Sequence, residues 1–76
     1  MGTKFCWLVE MFNRGGNSLG RYHTGFTDLR DASRSTADVY EARRYTSKAT
    51  AQRVADKLNV MMMTAEWRAV EHGFEV

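Results

Sequence analysis

The chain has 76 residues, a length that holds one domain and leaves no room for a second. Its 43% apolar residues, with two Trp, three Tyr and four Phe, suffice for one compact core and exclude a disordered chain. Eleven basic against nine acidic side chains leave a formal charge of +2, which excludes an acidic DNA mimic and falls short of the one-sided excess of a general polyanion binder.

The pattern predicts strands first. Residues 4–12, KFCWLVEMF, alternate Phe5, Trp7, Val9 and Met11 against Cys6, Leu8, Glu10 and Phe12. A period of two in aromatic and branched residues reads as a strand. Both faces are apolar, so the strand is expected at the centre of a sheet, with only Lys4 and Glu10 turned to solvent. NRGGNSLG follows as a turn-rich run, its paired Gly15 and Gly16 able to take positive φ without steric cost. RYHTGFT (21–27) returns as a second strand, closing a hairpin with a long loop. Residues 28–36, DLRDASRST, are polar and aperiodic and read as an exposed loop. Asp38 is expected to cap one helical turn, and residues 43–46, RRYT, to form a short third strand with Tyr45 inward.

Ser47 is a good helix N-cap. An advance of about 100° per residue gathers Ala51, Val54, Ala55 and Leu58 into one apolar arc. Lys48, Arg53 and Lys57 spread around the polar side with Asp56 between them, so they form no basic stripe. Asn59 tolerates the left-handed conformation and is expected to stop the helix. If the helix continued, Met61 and Met62 would stay with the apolar arc while Val60 and Met63 would face solvent. Residues 66–76, EWRAVEHGFEV, close the chain as a strand with Trp67 and Ala69 on one face and Arg68, Val70 and His72 on the other. Gly73 breaks the alternation and is expected to mark a bulge. The sum is one α+β domain over residues 1–76: an antiparallel sheet of three or four strands with one amphipathic helix packed on it, in the order β-β-(β)-α-β.

Motifs with chemistry are few. Gly15 and Gly20 flank four residues, but Arg21 and Tyr22 follow where a phosphate loop needs Lys and Ser or Thr. Cys6, His23 and His72 are scattered without the paired spacing of a zinc site, so no metal or other cofactor is expected. Cys6 is the sole cysteine and sits mid-strand, which excludes an internal disulfide and fits a reducing cytoplasm. His72 reads as an edge residue with its ring in water or on a backbone carbonyl. Asp28 and Asp31 share a loop with Arg30 and Arg34, where local pairing is the default. The sequence has no residue set for catalysis, and the reading is of a non-enzyme. No stretch approaches the roughly 20 apolar residues of a membrane span, and the apolar run near the N-terminus is too short for a signal peptide.

The series YHTGF…DVYEARRYTSKATAQRVADKLN…WRAVEHGFEV resembles small accessory proteins encoded by bacteriophages and prophages. The likeness is carried by Tyr22, Thr24, Gly25, Ala42, Arg43, Arg44, Tyr45, Ser47, Ala51, Val70, Glu71 and His72. It implies a product made in the host bacterial cytoplasm, and some phage proteins of this size are anti-CRISPR inhibitors. The expected function is therefore inhibition of a host protein, a CRISPR–Cas component first among them, by steric occlusion. The chain would act as a monomer or homodimer, without a membrane. Arg30, Arg34, Tyr40, Arg43 and Arg44, with Met61 and Met63 as apolar anchors, are the expected partner-binding residues, since aromatic and Arg side chains dominate such contacts. The alternative is a small nucleic-acid-binding regulator, in which Arg14, Arg21, Arg43 and Arg44 hold phosphates beside Tyr22 and Tyr45.

Overall fold

A computed structural model describes residues 2–25, 35–61 and 65–75. They form β1 (Thr3–Phe12), β2 (Ser18–His23), β3 (Ser35–Thr36), α1 (Lys48–Met61) and β4 (Glu66–Glu75). The sheet is antiparallel, in the order β3-β2-β1-β4. The expected α+β domain is what the chain forms.

The position of β1 follows from its two apolar faces. It pairs with β4 without interruption from Thr3↔Glu75 to Phe12↔Glu66, and with β2 on its other side. Because side chains alternate along a strand, one face presents Trp7, Val9 and Met11 beside Trp67 and Ala69. Helix α1 lies on that face and buries Ala51, Ala55 and Leu58 against Val9 and Trp67, with Val54 half-buried at the side. Full burial of a side chain such as Leu58 is worth about 1.5–3 kcal/mol. The alanines let the helix approach the sheet closely enough to enclose Trp67. The opposite face carries Cys6, Leu8 and Phe74, and the segment after β3 folds back to cover them with Ala42 and Val39.

The helix begins as its cap predicts, with Ser47 Oγ accepting the N–H of Thr50 at 3.2 Å. It does not stop at Asn59. It runs to Met61, and Asn59 does different work: its Oδ1 accepts the N–H of Trp67 at 2.7 Å while its Nδ2 donates to the Trp67 carbonyl at 2.9 Å. The carboxamide has the donor and acceptor spacing of a peptide group, so it substitutes for a neighbouring strand at one position of the β4 edge.

Several local expectations shift. Strand β2 occupies 18–23 rather than 21–27, of which 26–27 lie outside the described residues. Ser35 and Thr36, read as loop, form β3; the rest of that stretch, 28–34, lies outside the described residues. The expected strand at 43–46 is a single bridge, in which Tyr45 and Trp7 exchange N–H···O bonds of 2.9 and 2.8 Å. It takes the place beside β1 that β2 vacates after His23, whose carbonyl accepts the N–H of Arg43 at 3.2 Å. Asp38 caps a turn rather than a helix, bonding the N–H of Tyr40 through Oδ1 at 2.9 Å and that of Glu41 through its carbonyl at 3.0 Å.

The bulge is also elsewhere. Gly73 sits in register opposite Phe5, and its want of a side chain has a packing cause: a Cβ there would stand 2.9 Å from Thr3 Cγ2 and 3.0 Å from the Phe5 ring. The irregularity lies in β2, where Met11 faces Arg21 but Phe12 faces Ser18, leaving Leu19 and Gly20 unmatched. Gly20 has φ +67°, a conformation in which only glycine is unstrained.

Candidate functional site

Among the described residues two polar side chains, Glu10 and His23, are buried. Glu10 is only 7% exposed instead of facing water, because each of its carboxylate oxygens is bonded. Oε2 accepts from Ser18 Oγ, which also accepts the N–H of Gly20 at 3.1 Å, while Oε1 meets His72 Nε2 at 3.0 Å. His72 is therefore bound to a carboxylate, not to water or a carbonyl, and packs edge-on against Tyr22 at 5.5 Å. Burial and, secondarily, the Glu10 charge push the Tyr22 hydroxyl above its ordinary range. In this cluster the Glu10 carboxylate stands between the Ser18 hydroxyl and the His72 imidazole, the reverse of the order that activates a serine. Its work is to clip the β2 bulge to β1 and β4. His23 is wholly buried, with Nδ1 at 3.3 Å from the N–H of Gly25 and its ring edge-on to Trp67 at 5.5 Å. Among the described residues no three His, Cys, Asp or Glu side chains gather as metal ligands.

A concavity lies where the returning segment 40–46 meets the N-terminal half of β1 and the end of β4. Phe74 lies buried against Cys6 and Leu8 and forms the floor. The guanidinium of Arg44 lies over its ring at 4.1 Å from the centroid, and Tyr40 meets it edge-on at 5.6 Å. Lys4, Phe5, Tyr45 and Glu75 complete the walls of a crevice of about 430 Å³. The turn at Asp38 aims Tyr40 outward, leaving it 71% exposed although its edge rests on Phe74. Tyr45 is anchored by its bridge to Trp7, and burial raises its phenol, an effect opposed by the charge of Arg43 nearby. A guanidinium on a ring keeps its N–H groups free in the ring plane, so Arg44 can bind a carboxylate or phosphate while it stays stacked.

Of the expected contact residues, Tyr40 and Arg44 line this crevice, and Arg43 stands exposed beside it. Met61 does not join them. It lies at the other end of α1 with Val60, which is 81% exposed, in a shallow apolar patch beside Asp56 and Lys57. Val60 faces solvent as the helical projection required, whereas Met61, expected with the apolar arc, is exposed at the end of the helix. Arg30, Arg34 and Met63 lie outside the described residues. The sequence reading missed Lys4, Phe5 and Phe74, because only the register of β4 against β1 brings residues 70 positions apart into one crevice.

Arg21, Lys48 and Arg68 are held at separate places on the sheet. Arg21 is held on β3 by Ser35, its Nε donating to Oγ at 2.8 Å and its Nη2 to the carbonyl at 2.9 Å. Arg68 pairs with Glu66 at 2.7 Å and lies over Phe12, while Lys48 lies over Trp7 at 5.6 Å. No described helix is long and apolar enough to cross a membrane. Comparisons of the chain with models of known protein families, with curated proteins and with solved structures find no match.

Proposed function

We propose that this chain is a non-enzymatic binding protein that docks on a host protein and inhibits it by covering a functional surface. The observation that carries the reading is the crevice in which Arg44 and Tyr40 rest on a buried Phe74. Arg and Tyr are enriched among residues that dominate protein interfaces, and here both are held in place before binding. The partner group that fits is a carboxylate or aromatic side chain, taken by Arg44 and the rings together. The resemblance to phage accessory proteins makes a Cas effector in the bacterial cytoplasm the first partner to test.

The test is binding and inhibition of purified Cas effectors by the wild-type chain and by Arg44→Ala and Tyr40→Ala. An inhibitor of this kind loses about 10–100-fold in affinity in either variant, the span of an interface hot spot. Failure of the wild-type chain to form a stoichiometric complex with any effector, or full affinity in both variants, overturns the reading.

A second reading rests on the exposed rings of Phe5 and Tyr40 beside Lys4, Arg43 and Arg44, an arrangement on which single-stranded nucleic acid can stack. It requires affinity for oligonucleotides that falls steeply with salt. Flat, weak binding across a salt titration removes it.

A further inference from the structure

The outer edge of β4 is not paired with any described strand. Two observations fix which backbone groups it offers. Trp67 turns its N–H and C=O away from β1, since both bond to Asn59. Trp7, opposite Glu71, turns its own toward Tyr45 and away from β4. Trp7↔Glu71 and Met11↔Trp67 are therefore pairs that do not bond each other, and the alternation of an antiparallel ladder extends this along the strand. Ala69, Glu71, Gly73 and Glu75 thus present outward N–H and C=O groups, whereas Val70, His72 and Phe74 spend theirs on β1. Asn59 closes the edge at Trp67, and no described strand pairs with it beyond.

The side chains of that stretch are sorted by face. Glu71 and Glu75 flank Gly73 on the helix side of the sheet, and next to Gly73 on β1 lies Phe5, 62% exposed. Val70 and Phe74 point to the other side, where Phe74 floors the crevice. This pattern rejects a second copy. In an antiparallel self-pairing that matches all four outward residues, each Glu71 would lie opposite Gly73 of the other copy, between its Glu71 and Glu75. Moved by one step, Glu71 would face Glu71. Like charges so placed destabilise a strand pair. The same pattern suits a cation: a side chain added opposite Gly73 meets no Cβ, has a carboxylate on each side, and can lie on the Phe5 ring.

We propose that β4 accepts an extended basic segment of a protein partner as a fifth strand. An arginine or lysine lies over Gly73 between Glu71 and Glu75, and apolar residues alternate on the face of Val70 and Phe74. Main-chain bonds supply the pairing and the carboxylates select the sequence. The inference rests on the reading of the chain as a protein-binding module and adds a main-chain docking edge that adjoins the Arg44 crevice, with which it shares Phe5, Phe74 and Glu75.

The test uses the full chain and a capped peptide of alternating arginine and valine that spans residues 69–75. Amide exchange followed by NMR reports its position. Bound peptide slows the amides of Ala69, Glu71, Gly73 and Glu75 and leaves those of Val70, His72 and Phe74, already bonded to β1, unchanged. The double variant Glu71→Lys, Glu75→Lys, altered only at exposed positions, loses at least tenfold in affinity and gains it for the peptide with glutamate in place of arginine. Protection without the alternation, equal binding of a peptide with the arginines and valines in separate blocks, or indifference to the charge reversal overturns the proposal. A Cas effector that binds the charge-reversed double variant normally but not Arg44→Ala also overturns it, while leaving the occlusion reading in place.

Discussion

Replacing Asn59 by alanine isolates what one carboxamide contributes to the end of this sheet. The side chain makes two bonds to a single residue, 2.7 Å from Trp67 N–H and 2.9 Å to its carbonyl, in a partly buried setting. At about 0.5–1.5 kcal/mol net for each, the pair is worth about 1–3 kcal/mol. Alanine returns about 0.5 kcal/mol in helix propensity, so the net loss is about 1–2 kcal/mol. For a domain of this size that corresponds to a fall in Tm of about 5–15 °C. In urea, with a slope near the low end of about 1 kcal/mol per molar, the midpoint should fall by about 1–2 M. Asn59→Asp sharpens the test. One oxygen still accepts the Trp67 N–H, but the other, ionised, faces the carbonyl that Nδ2 now serves. That carboxyl holds its proton more tightly in the folded state than in the unfolded one. Its contribution is present below the unfolded value near 3.9 and is lost as pH rises through the folded one. The aspartate variant should therefore approach wild-type stability at about pH 4 and fall furthest behind near neutrality. Equilibrium unfolding followed by tryptophan fluorescence, with free amide exchange at Trp67 as a second readout, decides it. A variant Asn59→Ala as stable as wild type, or an aspartate variant best at neutral pH, would refute the argument that the carboxamide stands in for a strand.

Gly20→Ala should destabilise the protein by about 1–2 kcal/mol, since φ +67° is strained for any L side chain although nothing crowds the position; urea unfolding measures this, and an unchanged midpoint would show that the bulge relaxes. The raised hydroxyls of Tyr22 and Tyr45 predict an alkaline limit. Their contribution is complete below the ordinary tyrosine value of 10.0 and is lost as pH climbs through the higher folded-state values. Stability should accordingly decline above about pH 10, and less steeply in the double variant Tyr22→Phe, Tyr45→Phe. An equal decline in that variant would place the effect on other groups.

Much of the architecture is legible in short-range patterns. The two apolar faces of residues 4–12 announce a central strand, Ser47 announces the start of a helix, and Ala51, Val54, Ala55 and Leu58 announce the face it buries. These signals are legible because each depends on residues within a few positions of one another, through a period of 2 or 3.6. The misreadings share the opposite property. Glu10 reads as a solvent signal because its partners, Ser18 and His72, reach it only across the sheet. Asn59 reads as a helix stop by its intrinsic preference, and tertiary bonding to Trp67 overrides that preference. Gly73 reads as a bulge, whereas its cause is the Phe5 ring lying across it from β1.

The candidate site divides in the same way. Arg44 and Tyr40 stand out by residue type, and both reach the crevice. Phe74 and Phe5 carry no local mark that distinguishes them from other strand aromatics. By itself the sequence determined the central strand, the hairpin, the one long helix with the face it buries, the closing strand and a near-balance of charge, all set by local stereochemistry and composition. Only the tertiary structure decided that Arg44 would lie on Phe74, that Glu10 would be buried between Ser18 and His72, and that no described strand would pair with the outer edge of β4. Each of these depends on the register between strands far apart in sequence, and register is a property of the assembled sheet.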